Sequence, residues 1–357
     1  MIFRRRQRGA PDGSATARPA PPPAASDSEQ IELIAEVEAL TRRNRARRDP
    51  ALERRVLRLR HRAGASALAR PPAAPRYAEP DFDRLPDGAA LPELSLEELT
   101  PEVLRAGILR QGCVLVRGLL DRAEAGRFAG EIGHAFEARE RQDGSSGDDY
   151  YEEFEPDPPY PGVIGRPWVA DAGGVWAADS PKLMFELMEA FERAGLRSLI
   201  GRYLGETAAL SVDKCTLRRV DPATTVGAWH QDGKFLGDVR SLNVWLTLSR
   251  CGADAPGLDI VPRRVDHVLA TGGEGVPTAE DGTRLDWGVA PPLAERVAGG
   301  ADRILRPLFE PGDALLFDHL FLHQTASDPR MPNARFAIES WFFGASRFPQ
   351  GYVPIAF

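Results

Sequence analysis

The sequence predicts an α+β fold in which helices pack on the outside of an antiparallel β-sandwich or barrel. Amphipathic helical spacing prevails up to about residue 205, and short apolar strands separated by Gly, Pro and Asp prevail after it. The 357 residues, 43% of them hydrophobic, suffice for a substantial core. We therefore expect one large domain preceded by an N-terminal extension.

The N-terminal extension differs in composition from the rest of the chain. Residues 1–27 are rich in Pro, Ala, Ser and Gly and are expected to be a disordered tail. Residues 28–65 carry apolar residues at helical spacing among many arginines and predict basic helices, with His61 at the surface. Such helices either pack on the body or contact an acidic partner or a membrane surface. Residues 66–91 are expected to form a linker, which leaves residues 92–357 as the folded domain.

Charge and cysteine content limit the classes of partner and compartment. Residues 1–70 hold 16 arginines and eight acidic residues, so they carry +8 and the remainder carries −15 of the overall −7. Because nucleic-acid binding depends on neutralising phosphates with Lys and Arg, the acidic body is not expected to bind nucleic acid. No apolar run is as long as a membrane span, and the three cysteines match neither a zinc cluster nor a disulfide framework. We expect a cytoplasmic protein.

The part of the domain before residue 205 is predicted to be mainly helical. Helices are expected at residues 94–111, 121–141 and 180–205, and a short strand at residues 113–118. Residues 141–180 are instead rich in Gly, Pro, Asp and aromatic residues, lack periodicity, and are too many for a simple connection. This segment is expected either to cover a substrate site as a lid or to cover a sheet face.

The part of the domain after residue 205 is predicted to be mainly strands. Each apolar segment is short and is bounded by Gly, Pro or Asp, as in antiparallel sheets. The predicted strands are residues 208–220, 241–249, 257–261, 303–309, 313–318 and 335–343.

A pair of potential metal ligands lies between two of these strands. His230 and Asp232 are two residues apart, so on an extended chain their side chains leave the same face. A second imidazole would complete the two histidines and one carboxylate with which non-haem Fe(II) oxygenases hold iron, leaving three positions open. His319 and His323 are both candidates, and the spacing to Arg335 favours His323.

Fe(II) held in this way has room for a 2-oxo acid and for dioxygen. A 2-oxo acid chelates the metal through its first carboxylate and keto oxygen, so its far carboxylate needs a cationic partner inside the barrel. Arginine can bind a carboxylate through two parallel hydrogen bonds and stays protonated. Arg335 begins a predicted strand after His323 and is placed for this role.

Long stretches of the sequence resemble the phytanoyl-CoA dioxygenase family of Fe(II)- and 2-oxoglutarate-dependent oxygenases. The resemblance covers roughly residues 95–345 and implies a double-stranded β-helix core, of the jelly-roll or cupin-like type, with flanking helices. The segment QGCVLVRGLLDRAEAGRFAGEI is similar to the usual opening of that family. The stretches that carry the motif are WHQDG, SLNVWLTLSRCGADAPGLDIVPRRVDH and GDALLFDHLFLHQTASDPRMPNARFAIESWFF.

The resemblance also implies roles for individual residues. Arg335 would bind the far carboxylate of 2-oxoglutarate. The family places a basic or polar side chain on the strand before the motif, against this co-substrate, and Lys214 and Thr216 are the candidates here. The serine that some relatives carry two residues after the arginine is replaced by Ala337. The implied catalytic iron ligands are His230, Asp232 and His323.

The implied activity is hydroxylation of a small molecule, with O2 consumed and 2-oxoglutarate converted to succinate and CO2. Iron halogenases of this superfamily have a small residue in place of Asp232, so its presence favours oxygen insertion, desaturation or epimerisation. The acidic body gives little support for a CoA thioester, and a free acid, an amine or a natural-product scaffold is favoured. One alternative is a non-catalytic metal-binding β-barrel whose N-terminal helices serve as an interaction module. A zinc hydrolase is disfavoured, because no residue of the motif is an obvious general base.

Overall fold

A computed structural model describes residues 26–70, 74–86, 88, 90–141, 149–157, 159–160, 163–223, 227–278 and 284–357. The tail predicted for residues 1–27 lies, up to residue 25, outside the described residues. Within these ranges no helix is both long enough and apolar enough to cross a membrane.

Several helices of the described chain begin with a side-chain cap or with a proline, which has no N–H group to satisfy. One example is Pro101–Gln111, where the Thr100 hydroxyl accepts a hydrogen bond from the Val103 N–H and Pro101 is the first helical residue. This helix therefore begins at residue 101 and not at residue 94 as predicted. The helices are α1 (Asp27–Ala46), α2 (Pro50–Leu68), α3 (Pro101–Gln111), α4 (Arg122–Arg141), α5 (Arg166–Asp171), α6 (Pro181–Arg193), α7 (Leu196–Leu204), α8 (Gly233–Leu236) and α9 (Pro291–Ala298).

The strands form two sheets. The larger sheet has the order β1-β2-β7-β5-β9-β4-β10, with β3 also pairing with β4, and every pair is antiparallel except the parallel β1 and β2. The smaller sheet contains the antiparallel pair β6 and β8. The strands are β1 (Glu93–Ser95), β2 (Cys113–Arg117), β3 (Gly174–Trp176), β4 (Ala208–Val220), β5 (Ser241–Thr247), β6 (Gly257–Ile260), β7 (Ala314–Phe317), β8 (His323–Ala326), β9 (Arg335–Gly344) and β10 (Pro354–Ala356).

Single backbone bridges extend the smaller sheet on both sides of β6 and β8. The strand predicted at residues 303–309 contributes only separate bridges, because Pro307 has no N–H to donate to a ladder. The bridges are Trp229 with Val289, His230 with His323, and Ile260 with Leu305. The prediction of a mixed α and β fold with a large, mostly antiparallel sheet is confirmed, and the finer double-stranded β-helix assignment stays a prediction.

Alternation along β9 divides the core into two layers. Ile338 and Phe342 pack in the cluster that joins the larger sheet to the helices, where Phe342 contacts Phe191 of α6. Ala337 and Trp341 point to the opposite face and pack in a second cluster that includes residues of the smaller sheet. Both faces of β9 are therefore covered, which explains why its sequence is apolar almost throughout. Odd-numbered residues of β9 face the smaller sheet.

The N-terminal helix α2 packs on the body of the protein. Its residues Val56 and Leu59 are buried together with Val37 of α1 and against Phe185 of α6. The prediction that His61 is exposed is wrong: its side chain is fully buried because α2 lies along β10. The backbone oxygen of Pro354 in β10 lies 2.9 Å from His61 Nδ1.

The helix predicted for residues 180–205 is divided in two. Gly195 adopts a left-handed backbone conformation with φ 71°, and α7 begins immediately after it. Residues other than glycine are strained in this conformation. Gly195 therefore lets the chain change direction between α6 and α7, which the helical periodicity alone did not reveal.

Two glycine-to-alanine substitutions test this assignment. Both Gly195 and Gly130, inside α4, have open space where a Cβ would lie. Gly195→Ala is expected to lower the free energy of unfolding by about 1–2 kcal/mol, because alanine is strained at positive φ. The matched control Gly130→Ala is expected to raise it by about 0.5–1 kcal/mol, because alanine favours a helix interior. Urea denaturation measures both, and equal effects at the two positions would contradict the assignment.

Candidate active site

The backbones of His230 and His323 are paired directly across the smaller sheet. The N–H of His230 donates to the oxygen of His323 at 2.9 Å, and the N–H of His323 donates to the oxygen of His230 at 3.1 Å. Residues directly opposite in an antiparallel pair point to the same face. The two imidazole rings therefore lie side by side, with their centroids 4.4 Å apart.

Both imidazoles are oriented by hydrogen bonds to nearby carbonyl groups. His230 Nδ1 lies 2.8 Å from the backbone oxygen of Ala228, and His323 Nδ1 lies 3.1 Å from that of Phe321. A carbonyl oxygen only accepts, so each Nδ1 carries a proton and each Nε2 keeps its lone pair for a metal. Burial lowers the pKa of His323 to about 4, so this ring is neutral at pH 7.

Gln231 faces away from the two histidines and fixes the loop that carries them. Its side-chain amide donates to the backbone oxygens of His267 and Leu320 and accepts the N–H of Leu269. These three bonds hold the chain so that Asp232, the next residue, returns to the face of His230. His230 and Asp232 thus lie on the same side of the chain, as their two-residue spacing predicts.

His230, Asp232 and His323, which we call the metal triad, form a possible metal site. One ligand atom from each lies within 4.8 Å of the other two, and no other such cluster is found in the described ranges. Asp232 and His323 are buried and His230 is partly exposed. Two imidazoles and one carboxylate are ligands that divalent first-row metals accept. The donor set therefore fits a metal ion.

His319, the rival candidate, lies outside the metal triad. Its Nδ1 is 2.9 Å from the hydroxyl of Ser241, and its backbone oxygen accepts the N–H of Gly233 at 2.7 Å. A Cβ on Gly233 would come within 3.0 Å of that oxygen. The glycine after Asp232 thus permits a close approach between the motif and the loop that carries His319.

Lys214 pairs with the carboxylate of the metal triad. Its Nζ donates to Asp232 Oδ1 at 2.8 Å and lies 3.4 Å from Glu339 Oε1. Burial alone would lower the pKa of Lys214, but the two carboxylates hold it above its usual value. Burial alone would also raise the pKa of Asp232, but Lys214 and the two histidines hold it well below its usual range. Both groups are therefore charged at neutral pH.

Glu339 is a site residue that the sequence analysis missed. It accepts hydrogen bonds from Trp341 Nε1 at 2.8 Å and from the Thr216 hydroxyl at 3.5 Å. Burial would raise its pKa, but Lys214 and Arg218 hold it below its usual value. Strand alternation starting from Arg335 could have identified it, because residues 335 and 339 lie on the same face of a strand.

Arg335 is buried without an acidic partner among the residues that the structure describes. Its side chain is 1% exposed, and its Nη1 donates to the backbone oxygen of Gly257 at 3.0 Å. The guanidinium carbon lies 5.2 Å from the ring centroid of Trp245. Its Nε is buried with no hydrogen-bond partner. Burial lowers the pKa of Arg335 to about 10, so the group remains charged at pH 7.

The metal triad and Arg335 open into one cavity of about 490 Å³ between the two sheets. Its polar wall comes from the larger sheet and its other wall is largely aromatic. Part of the segment predicted to be a lid also lines the cavity, and its role as a lid stays a prediction. The polar wall contains Lys214, Thr216, Arg218, Glu339 and Arg335, and the mouth contains Val163, Ile164, Trp168, Phe235 and Trp287.

Residues 149–157, 159–160 and 163–168, which we call the cover segment, are held by buried carboxylates and by α2. Asp213 accepts the N–H of Val163 at 3.0 Å. Asp179 accepts the N–H of Phe154 at 2.8 Å. His61 of α2 contacts the ring of Phe154 edge to face, with a centroid distance of 6.0 Å. The cavity mouth is therefore positioned by parts of the chain far apart in sequence.

Comparisons with known proteins give structural neighbours only. No model of a protein family matches the sequence, and no curated protein matches it. EctD from S. alaskensis, solved with 2-oxoglutarate and 5-hydroxyectoine, aligns at 16% identity and a TM-score of 0.49, over 79% of this chain and 87% of EctD. The non-haem α-ketoglutarate-dependent carbocyclase SnoK from nogalamycin biosynthesis aligns at 15% identity and a TM-score of 0.44, over 70% of this chain and 85% of SnoK.

A third neighbour is AviO1 from Streptomyces viridochromogenes Tue57, at 17% identity and a TM-score of 0.42, over 70% of this chain and 98% of AviO1. Structural similarity at such low sequence identity does not establish membership of the phytanoyl-CoA dioxygenase family. That membership stays a prediction.

Replacing single histidines tests the metal triad. The untagged wild-type protein is expected to bind one Co(II) per chain, measured by the visible absorption of the bound ion. His323→Ala is expected to weaken Co(II) binding by more than about 100-fold. Replacing a residue that only hydrogen-bonds to a metal ligand already weakens metal binding by about 10- to 100-fold. The matched control His319→Ala should bind Co(II) as the wild type does. Loss of Co(II) binding in His319→Ala, together with full binding in His323→Ala, would show that the third ligand is His319 and not His323.

Proposed function

We propose that the protein is an Fe(II)- and 2-oxoglutarate-dependent dioxygenase, related to the phytanoyl-CoA dioxygenase family, that hydroxylates a small molecule. One observation carries the proposal: a buried guanidinium without an acidic partner in the described chain opens into the same cavity as the metal triad. An uncompensated buried charge is costly, so the fold is expected to hold it for an anionic ligand. A dicarboxylate that also chelates a metal meets both requirements.

The residues fit the cofactor and the co-substrate. His230, Asp232 and His323 would hold Fe(II), since two imidazoles and one carboxylate leave positions for a 2-oxo acid and for O2. The bound metal would supply oxidation of the substrate by O2, coupled to conversion of 2-oxoglutarate to succinate and CO2. Arg335 would bind the far carboxylate of 2-oxoglutarate through two parallel hydrogen bonds.

The neighbouring charged residues prepare the site. Lys214 donates to one carboxylate oxygen of Asp232, which keeps that group ionised and leaves its other oxygen for the metal. Glu339 lies beside Lys214 and accepts hydrogen bonds from Trp341 and Thr216, so the lysine is held in position from both sides. Lys214 thus acts directly on the ligand carboxylate Asp232, Thr216 contacts Glu339, and the role of both residues against the co-substrate stays a prediction.

Glu339 bears on the alternative of a zinc hydrolase. A hydrolase needs a general base beside the metal. Glu339 is the candidate, because it and Asp232 both pair with Lys214. Lys214 and Arg218 hold its pKa below the usual value, whereas a base that works near neutral pH needs a raised one. Glu339 is therefore a poor general base, which favours the oxygenase over the hydrolase.

Binding of 2-oxoglutarate tests the role of Arg335. Anaerobic addition of 2-oxoglutarate to the Fe(II)-loaded protein is expected to produce a weak visible charge-transfer band. Arg335→Ala should raise the Kd of 2-oxoglutarate about 100-fold, since truncating a partner of a buried charge pair costs about 2–5 kcal/mol. Arg335→Lys should restore only part of the affinity, because lysine lacks the planar fork. The control Arg263→Ala, at the surface, should bind normally.

The results separate the proposal from its alternatives. Absence of the band in the wild type, or an unchanged Kd in Arg335→Ala, would refute the proposed role. If Fe(II) and 2-oxoglutarate bind but succinate stays at background with a broad metabolite panel, the protein is a non-catalytic metal-binding barrel. Substrate-dependent succinate formation establishes the dioxygenase.

A further inference from the structure

We propose that the substrate is an uncharged molecule with a planar ring system, bound at the cavity mouth between Trp168 and the paired rings of Phe235 and Trp287. The inference rests on the proposed function for the reaction that follows binding. The position of the binding site is inferred from the cavity mouth, and the neutrality of the substrate is inferred from the charges that line the cavity.

The cavity mouth is unusually apolar for an exposed surface. Trp168 is 57% exposed, Val163 53% and Phe235 48%, and all three line the cavity. Within the described ranges five large hydrophobic residues are at least 48% exposed, and three of them line this one cavity. Clustered exposed apolar side chains mark ligand-binding surfaces, whereas scattered ones need no explanation.

The aromatic side chains form a continuous wall from the mouth to the metal triad. The ring of Trp287 lies 5.6 Å from that of Phe235, at 62°, and 5.7 Å from that of His230, at 88°. Edge-to-face contacts of this kind hold rings in fixed orientations and leave their outer faces for a further ring. A planar ligand stacked on this wall therefore has one edge directed toward His230.

The charges that line the cavity balance one another. Lys214 and Arg218 face Glu339, at 3.4 and 4.0 Å, and Lys214 also pairs with Asp232. Both oxygens of Asp213 accept backbone N–H groups. A divalent metal and a dicarboxylate also balance each other, with Arg335 in contact with the latter. The three cations are Lys214, Arg218 and Arg335, and the three anions are Asp213, Asp232 and Glu339.

This balance leaves no charge for the substrate. A substrate charge that reached the metal triad would be buried without a counter-ion, which costs more than the burial of an apolar body gains. Of the substrate classes that the sequence leaves open, a neutral natural-product scaffold is therefore favoured over a free acid or an amine. The cavity volume of about 490 Å³ lies in the range of sites that bind drug-sized ligands.

Two fluorescent probes with the same ring body test the inference. N-phenyl-1-naphthylamine is neutral, and 8-anilinonaphthalene-1-sulfonate adds one negative charge to the same skeleton. In titrations of the full chain with Zn(II) and 2-oxoglutarate present, so that the charge of Arg335 is paired, the neutral probe is expected to bind at least about tenfold more tightly. Tighter or equal binding of the sulfonate would overturn the proposal, because it would show an unbalanced positive charge in the cavity.

Substitutions at the mouth locate the bound probe. Trp168→Ala and Trp287→Ala are each expected to weaken binding of the neutral probe about tenfold, since each removes a stacking face. Trp168→Phe and Trp287→Phe keep a ring and should retain most of the affinity, which separates stacking from misfolding. The control Phe82→Ala removes an exposed aromatic ring that does not line the cavity and should have no effect.

The outcomes are separable from those of the proposed function. Unchanged probe binding in both tryptophan-to-alanine variants would overturn the inference even if 2-oxoglutarate binds. Conversely, a protein that binds the neutral probe at Trp168 and Trp287 but gives no 2-oxoglutarate band would keep this binding site and lose the proposed reaction.

Discussion

Two backbone hydrogen bonds between His230 and His323 determine the geometry of the site. Because the two residues are directly opposed, their side chains leave the same face of the smaller sheet. Gln231 then binds the neighbouring loops on the other face, so Asp232 turns back to the two rings. The larger sheet faces this group and supplies the charged residues of β4 and β9. The register of His230 with His323, together with the alternation from His230 to Asp232, thus brings the three side chains of the metal triad together between the two sheets.

The charged residues of the cavity are held in a linked series. Glu339 contacts Lys214, and Lys214 contacts Asp232, so the lysine shares its charge between two buried carboxylates. Each member offsets the desolvation of the next, which is how several ions can be buried close together. Arg335 differs, because its contacts are backbone oxygens and the ring of Trp245. The fold therefore keeps one cation of the cavity without an acidic partner among the described residues.

Local patterns predicted the parts of the structure that depend on local chemistry. Strands β2, β4, β5, β7 and β9 of the larger sheet follow from short apolar segments bounded by Gly, Pro or Asp, and the face shared by His230 and Asp232 follows from a period of two. Strands β1, β3 and β10 were not predicted. The break at Gly195 depends on a single left-handed residue within an otherwise continuous helical pattern. The partner of Lys214 depends on the register between strands, which periodicity does not specify. Glu339 lay within reach of the sequence argument, because the strand that begins at Arg335 alternates through it.

The contact between α2 and β10 has a consequence for the order of folding. Arg60 and His61 of α2 hydrogen-bond to the backbone oxygens of Ala356 and Pro354, which lie 296 and 293 residues away along the chain. During synthesis, α2 leaves the ribosome long before β10 exists, so the part of α2 that contacts β10 has no surface to cover until that strand is made. Because α2 also contacts the cover segment, its position on β10 also bears on the cavity mouth. The final position of α2 therefore depends on a contact between residues 293 positions apart.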